Sequence, residues 1–145
     1  MLGGNKPVVK RVIQNFKLDQ RGLARVLGEL EARIVEAVWE IGPSTVQDVC
    51  DRLGKDQNYK TVMTVMNRLV EKRILLRRRE SRAFVYEAAA SREDFMQDVS
   101  RYVVEGLLQD FGPAAIAQFL AAMDASPESL AALQRLIESG RPTEE

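Results

Sequence analysis

The chain has 145 residues and no formal net charge, and 46% of its residues are hydrophobic. This length accommodates one domain, or one small domain with an oligomerisation appendage, and the apolar fraction excludes a wholly disordered protein. The sequence contains no histidine, the commonest general base and metal ligand. It also lacks a glycine-rich phosphate-binding motif and a Cys/His cluster. The composition therefore argues against an enzyme and predicts neither a metal nor a cofactor.

The sequence also bears on the compartment in which the protein works. No window approaches the roughly 18 consecutive apolar residues that span a bilayer, and the N-terminus lacks the apolar run of a signal peptide. The single cysteine, Cys50, cannot form an internal disulfide, which fits a reducing cytoplasm. We therefore expect a cytoplasmic protein without membrane insertion. Cys50 falls on the apolar side of a predicted helix, so we expect a small buried residue and not a redox sensor.

Charge is distributed unevenly along the chain. Residues 1–26 carry a net +5, residues 27–90 a net +1 and residues 91–145 a net −6. Within the middle segment, residues 55–82 hold nine cations and three anions. A basic region beside an acidic one indicates that only part of the surface faces a polyanion. We predict three segments: a basic N-terminal extension (1–26), a domain that binds the polyanion (27–90) and a helical dimerisation domain (91–145).

Two interpretations of the N-terminal extension stay open. Its apolar residues recur at the spacing of a short amphipathic helix, and they are Val9, Val12, Ile13 and Phe16. Such a helix would pack against the body of the protein or against a partner subunit. A basic arm is equally consistent with the sequence, because isolated helices of this length are marginal. The arm would add non-specific contacts to the backbone of the polyanion.

The middle segment begins with two predicted helices. The first spans about residues 29–41, where apolar residues form one face, and it ends at Gly42-Pro43. Ser44 is predicted to begin the second helix, with Gln47 as its partner in a capping box. Trp39 is expected to lie in the core beneath the first helix. Together these helices form the support for the more informative helix that follows.

The third helix, residues 59–69, has an unusual polar face. Its apolar residues form one stripe, whereas the opposite face carries hydrogen-bonding and cationic groups without an acidic residue until Glu71. An ordinary solvated helix mixes both signs of charge, whereas this face suits phosphate oxygens and base edges. A basic surface helix without a DNA role is the alternative interpretation. The predicted DNA-contacting residues of this helix are Tyr59, Lys60, Thr61, Met63, Thr64, Asn67 and Arg68.

A basic β-hairpin is predicted after the third helix. Residues 74–79 and 83–87 read as two strands joined by Glu80-Ser81-Arg82. Phe84 and Tyr86 share a parity, so we expect their rings to pack while the arginines face outward. The predicted DNA-contacting residues of the hairpin are Arg77, Arg78, Arg79 and Arg82. A charged edge strand that prevents aggregation is the alternative for the arginine run. Three helices and a hairpin predict a mainly α winged helix-turn-helix.

Three further helices are predicted in residues 91–145. They span about 92–111, 114–123 and the stretch from Ser126-Pro127 to Gly140. Their apolar faces exceed what one small winged domain covers, so we predict pairing with a second subunit. The predicted dimerisation residues are Phe95, Val99, Tyr102, Val103, Leu107, Ile116, Phe119, Leu120, Leu130, Leu133, Leu136 and Ile137.

Four motifs resemble the BlaI/MecI/CopY family of penicillinase and methicillin-resistance repressors. They are LGELE at 27–31, TVQDV at 45–49, YKTVMTVMNRL at 59–69 and RAFVY at 82–86. The resemblance covers about residues 27–138 and implies a homodimeric transcriptional repressor that binds an inverted-repeat operator. The genes it implies are those of β-lactam resistance or other stress responses. By position, it places Lys60, Thr61, Thr64 and Arg68 at the DNA and Arg82 at the wing.

The resemblance also bears on how the repressor is released from DNA. Classical members are cleaved in the C-terminal domain under the control of a membrane metalloprotease sensor that detects β-lactam. Their cut lies at an Asn-Phe bond, and the counterpart here by spacing is Gln118-Phe119, where glutamine replaces asparagine. The copper-responsive branch carries paired Cys-x-Cys motifs near its C-terminus, and this sequence has none. A winged-helix adaptor that binds protein instead of DNA is the alternative function.

Overall fold

A computed structural model describes residues 15–140 of the chain. The elements, in order, are a short 3-10 helix (Gly22–Arg25), α1 (Glu29–Ile41), α2 (Val46–Leu53), α3 (Tyr59–Glu71), β1 (Leu75–Glu80), β2 (Ala83–Ala88), α4 (Arg92–Phe111), α5 (Pro113–Asp124) and α6 (Pro127–Ser139). The chain divides into two compact units, with the boundary between Val103 and Val104. Most of the helix predicted around residues 9–16 lies outside the described residues.

The first unit, which we call the head, has one apolar core. Helices α1, α2 and α3 enclose it, and the antiparallel hairpin of β1 and β2 closes one side. This arrangement is the predicted winged helix-turn-helix, with α3 in the position of the recognition helix and the hairpin as the wing. The most deeply buried side chains of the core are Ile34, Val35, Val38, Val49, Val62, Met66, Leu69, Leu75 and Tyr86.

The start of α2 differs from the prediction by one residue. Thr45 caps the helix, because its Oγ1 accepts a hydrogen bond from the Asp48 N–H at 3.1 Å. The Asp48 carboxylate accepts in turn from the Thr45 N–H at 3.0 Å, which completes a capping box. The predicted box of Ser44 and Gln47 is therefore wrong. Ser44 is buried and its backbone pairs with Tyr86 of β2, with N–O distances of 2.9 and 2.8 Å.

The end of α3 brings the wing directly back beside the helix. The Ile74 N–H donates to the Leu69 carbonyl at 2.9 Å and the Arg73 N–H donates to the Val70 carbonyl at 3.0 Å, which is a Schellman motif. Arg73 has a φ of 65°, in the left-handed region that favours glycine. An arginine there costs about 1 kcal/mol relative to a right-handed conformation. The tight reversal places β1 only a few residues after the recognition helix.

The register of the hairpin determines which side chains share a face of the wing. Arg77 lies opposite Tyr86, Arg79 lies opposite Phe84, and Arg78 lies opposite Val85. Residues directly opposite one another in an antiparallel pair project from the same face of the sheet. Two arginines therefore share the face of the rings, and only Arg78 projects from the other face. The expectation that both rings pack while the arginines face outward is met in part. The Tyr86 ring is buried and the three arginines are exposed, but the Phe84 ring is 41% exposed and shares its face with Arg77 and Arg79.

Two sets of residues that the sequence placed outside the head belong to its core. Leu23 and Val26, predicted to lie in the N-terminal extension, are buried in the head. Phe95 of α4 is only 7% exposed, and its ring meets the Trp39 ring edge-on with centroids 5.8 Å apart. The assignment of Phe95 to the dimer interface is therefore corrected, since the ring is already covered within its own chain.

The second unit, as far as Gly140, contains no buried residue. Helices α5 and α6 contact each other, yet large apolar side chains along the unit remain open to solvent. No helix within residues 15–140 has the length and apolar character needed to cross a membrane. The exposed large apolar residues of the second unit are Val104, Leu107, Leu108, Phe111, Ile116, Phe119, Leu120, Leu136 and Ile137.

Candidate nucleic-acid interface

The polar face of α3 is open to solvent, as its sequence predicts. Asn58 caps the helix, and its Oδ1 accepts hydrogen bonds from the backbone N–H groups of Lys60 and Thr61 at 2.8 and 3.2 Å. The first turn is therefore ordered before any ligand arrives. The exposed side chains of the face are Tyr59, Lys60, Thr61, Met63, Thr64 and Arg68, and Asn67 is half-buried.

Thr64 is held in a defined orientation on this face. Its hydroxyl donates to the carbonyl of Lys60, one turn earlier, at 2.9 Å. The proton of the hydroxyl is therefore committed within the helix, and the exposed side chain offers its methyl group and the acceptor lone pairs of its oxygen. That combination suits an amino group on a base edge or the methyl group of thymine.

The outer face of the wing carries an arginine between two carboxylates. The Arg78 guanidinium lies 3.3 Å from the Glu80 carboxylate and 3.2 Å from the Glu87 carboxylate. All three side chains are well exposed, so each pair contributes little to stability. Arg82 is exposed in the turn of the hairpin. The structure thus leaves these two arginines at the surface, where a phosphate group could replace a carboxylate or water.

The inner face of the wing contains a feature that the sequence analysis missed. The guanidinium carbons of Arg77 and Arg79 lie 4.4 and 5.7 Å from the centre of the Phe84 ring. Phe84 is 41% exposed, so the ring serves as a surface against which both cations rest. Such cation–π contacts contribute about 0.5–1 kcal/mol at exposed sites. The alternation of the two strands was the signal in the sequence, because it puts Phe84 on the face of these arginines.

Asn67 joins the recognition helix to the wing. Its Oδ1 accepts a hydrogen bond from the Tyr86 hydroxyl at 2.8 Å and another from Arg77 Nη1, also at 2.8 Å. Tyr86 belongs to β2 and Arg77 to β1, so both strands contact the same side chain of α3. The sequence placed Asn67 among the DNA-contacting residues, whereas the structure shows its oxygen engaged within the head.

A partly buried ion pair, which the sequence did not predict, connects the end of α3 to α1. Lys72 Nζ lies 2.7 Å from Glu31 Oε2, and the Gly28 N–H donates to Oε1 at 2.9 Å. Burial alone would raise the pKa of Glu31, but the Lys72 hydrogen bond, the Gly28 N–H and the charges of Lys72 and Arg68 outweigh it. The pKa of Glu31 therefore lies below its ordinary value of 4.5. The pair ties the first turn of α1 to the end of α3.

The predicted dimerisation residues fall into two groups. Phe95 belongs to the core of the head, and Val99 and Tyr102 pack against that core. Val103, the last residue of the head, is half-buried. The others belong to the second unit, where Leu130 and Leu133 are half-buried and Leu107, Ile116, Phe119, Leu120, Leu136 and Ile137 are exposed.

The predicted cleavage bond and the single cysteine differ in accessibility. Gln118 and Phe119 are exposed, but their peptide bond lies inside α5, so a protease would have to unwind the helix. Cleavage there stays a prediction. Cys50 is buried, as predicted, and burial raises the pKa of its thiol. A higher thiol pKa lowers the thiolate fraction and hence the reactivity of the side chain.

Solved structures with a similar arrangement include two bacterial regulators. The solution structure of the monomeric form of Bacillus licheniformis BlaI in complex with the blaP half-operator has a TM-score of 0.41 and 24% identity. The match covers 47% of the present chain and 85% of the BlaI chain in that structure. The transcriptional regulator Tm0710 of Thermotoga maritima has a TM-score of 0.45 and 18% identity, with coverage of 87% and 90%.

Sequence comparisons match the larger part of the chain. The transcriptional regulator BlaI of Mycobacterium tuberculosis (strain CDC 1551 / Oshkosh) is 35% identical over 86 residues, as is that of strain H37Rv. The match covers 57% of this chain and 60% of each relative, so the chain spans about three fifths of their length. The profile of the penicillinase repressor family matches residues 27–139. The chain therefore belongs to the penicillinase repressor family.

Proposed function

We propose that the protein is a transcriptional repressor that binds an inverted-repeat DNA operator as a homodimer. The observation that carries the DNA-binding part is the exposed face of α3, which combines cations and hydrogen-bonding groups beside a wing of arginines. Cations there would neutralise phosphates, and short polar groups such as Thr64 would contact base edges in the major groove. Membership of the family suggests genes of β-lactam resistance or other stress responses as targets.

The second unit supports the homodimer. Between Val104 and Gly140 it buries no residue and exposes nine large apolar side chains. A helical unit of this kind lacks a core of its own, and a second copy of the same unit would cover its apolar surface symmetrically. Two linked heads would then bind two half-sites about one helical turn, or a multiple of it, apart.

Variants on α3 and the wing test the DNA-binding part. Thr64→Ala should weaken discrimination between the operator and unrelated DNA by roughly 1–3 kcal/mol, because a base contact is lost. Arg78→Gln should weaken binding to every sequence and reduce the salt slope by about one phosphate contact. Gel-shift titrations at several salt concentrations measure both effects.

Arg135→Gln provides the control, since it removes a cation from the acidic second unit and should leave the salt slope unchanged. Wild-type binding without a steep salt dependence would contradict the DNA-binding proposal and favour the protein adaptor. An unchanged discrimination by Thr64→Ala would show that the reading face is assigned wrongly.

Truncation tests the homodimer. A chain that ends at Val103 keeps Phe95 in the head, so it should remain folded but sediment as a monomer. Its operator affinity should fall, because two heads on one particle raise the effective concentration at the second half-site. A chain that ends at Ala90 is the comparison, since it lacks Phe95 and should be less stable. Sedimentation of the longer fragment as a dimer would overturn the assignment of the interface to the second unit.

A further inference from the structure

We propose that Asn67 and Tyr86 are positioning residues that fix the wing relative to the recognition helix, and that Asn67 does not read a base. This inference rests on the proposed function in DNA binding. It concerns the one polar side chain on the inner part of the α3 face that is half-buried and already hydrogen-bonded. An exposed asparagine on such a helix would ordinarily be assigned to base recognition.

The hydrogen bonds of Asn67 determine which group it presents. Arg77 has donors only, so the amide oxygen of Asn67 must face it, and the amide cannot be flipped without losing that bond. The Tyr86 hydroxyl donates to the same oxygen, and both distances are 2.8 Å. The two lone pairs of Oδ1 are therefore occupied. Recognition of adenine by asparagine needs this oxygen to accept from the base while the amide nitrogen donates.

Tyr86 anchors the connection to the rest of the head. Its side chain is 1% exposed, and its backbone pairs in both directions with Ser44 in the connection between α1 and α2. The hydroxyl then reaches Asn67 on α3. One residue of β2 thus contacts the helix-turn-helix at two independent points, so the base of the wing has little freedom to move relative to α3.

Arg77 extends this order to the surface of the wing. It donates through Nη1 to Asn67, and its guanidinium lies 4.4 Å from the centre of the Phe84 ring. The side chain is exposed, so a phosphate can reach its other N–H groups. A long side chain that is already ordered in the free protein loses less conformational entropy when it binds. Loss of the Asn67 link should therefore weaken phosphate contacts of the wing, whereas base contacts of α3 should persist.

The experiment compares Tyr86→Phe, Asn67→Ala and the double variant. The probes are a duplex selected from a random library by the wild-type protein, the same duplex with single base-pair changes, and a scrambled duplex. We expect each single variant to weaken binding to selected and scrambled DNA alike by roughly 3- to 10-fold. The salt slope should fall by about one phosphate contact. The double variant should bind as Asn67→Ala does, because both changes break the same link.

Two variants serve as controls. Tyr102→Phe removes the hydroxyl of a half-buried tyrosine outside the wing and should leave the salt slope unchanged. Thr64→Ala should alter base discrimination and not the slope. Thermal melting determines whether each variant is folded. If Tyr86→Phe does not fold, the comparison of Asn67→Ala with wild type tests the inference.

Three outcomes would overturn the inference. Loss of discrimination at one base pair in Asn67→Ala, with Tyr86→Phe unaffected, would show that Asn67 reads a base. A lower melting temperature with unchanged affinity and salt slope would show that the link is structural only. Additive effects in the double variant would show that the two residues act separately. Failure of the wild-type protein to select any duplex would instead contradict the proposed function itself.

Discussion

Single residues hold the recognition helix in place through contacts with distant parts of the head. Glu31 lies in the first turn of α1 and Lys72 at the end of α3, so their ion pair joins two helix ends. An anion near a helix N-terminus and a cation near a C-terminus also interact favourably with the helix dipoles. Removal of one partner would leave the other charge partly buried, which is more costly than loss of an exposed pair.

The Glu31 contact should make the head sensitive to acid. The folded pKa lies below 4.5, so the unfolded chain takes up the proton first as the pH falls. The stabilisation is therefore complete above about pH 4.5 and is lost as the pH drops from there through the folded pKa. Urea unfolding of wild type and Glu31→Gln over this range measures it, and the difference between them should shrink towards low pH.

Asp98 contributes to the pH dependence of the stability in both proteins. Partial burial and the charge of Asp94 raise its pKa against the opposing effect of Arg101, so its contribution has the opposite sign. Because Asp98 is present in both proteins, its contribution cancels in the difference. A difference between wild type and Glu31→Gln that stays constant with pH would contradict the assignment to Glu31.

At the scale of elements, α4 has two roles along its length. Its first part packs against the head through Phe95, whose ring meets that of Trp39 in α1. Just before α4 begins, the Ala90 carbonyl accepts a hydrogen bond from the indole N–H of Trp39 at 3.0 Å. Its last part exposes Leu107, Leu108 and Phe111. One helix therefore packs against the head at one end and exposes large apolar side chains at the other.

Phe95 and Phe119 provide a matched pair of variants for this division. Phe95→Ala should destabilise the head by about 3–5 kcal/mol, because it leaves a cavity beside Trp39. This loss should not depend on protein concentration. Phe119→Ala removes an exposed ring of α5, so it should weaken dimerisation and change stability only where the dimer contributes to it. Urea unfolding and sedimentation at several protein concentrations distinguish the two, and concentration-dependent unfolding of Phe95→Ala would contradict the division.

At the scale of the whole molecule, charge separates the two units. Residues 55–82 of the head carry a net +6, whereas residues 104–140 carry a net −4. In the proposed complex the phosphate backbone of DNA would repel the acidic unit, so we expect DNA to bind only at the head. The polarity also explains how a chain with zero net charge presents a strongly basic surface.

Truncation of the N-terminus should separate packing from DNA binding. Deletion of residues 1–26 removes Leu23 and Val26 from the core and should cost roughly 3–5 kcal/mol of stability. Deletion of residues 1–14 removes a net +3 and should weaken DNA binding at low salt without lowering the melting temperature. Thermal melting and salt titrations measure the two effects. A lower melting temperature after the shorter deletion would favour the packed helix over the arm.

The sequence alone predicted most of the helices and strands and the exposed polar face of α3. The bounds of α1 agree with the prediction, and Asn58 caps α3 where the basic face begins. These features depend on neighbouring residues, since helical period, caps and turn residues act over a few positions. The exposed face of α3 was predictable for the same reason, because a run of residues without acids is visible in the sequence itself.

The tertiary structure decided which of these residues are already engaged by partners far along the chain. Ser44 and Thr45 both resemble a helix cap, and pairing of Ser44 with β2 leaves the cap to Thr45. Phe95 belongs to the apolar residues at helical spacing that predict an interface, yet its ring packs against Trp39 within the head. The oxygen of Asn67 is taken by the two strands of the wing. Contacts between residues ten or more positions apart leave no local pattern in the sequence, so only the packed fold reveals them.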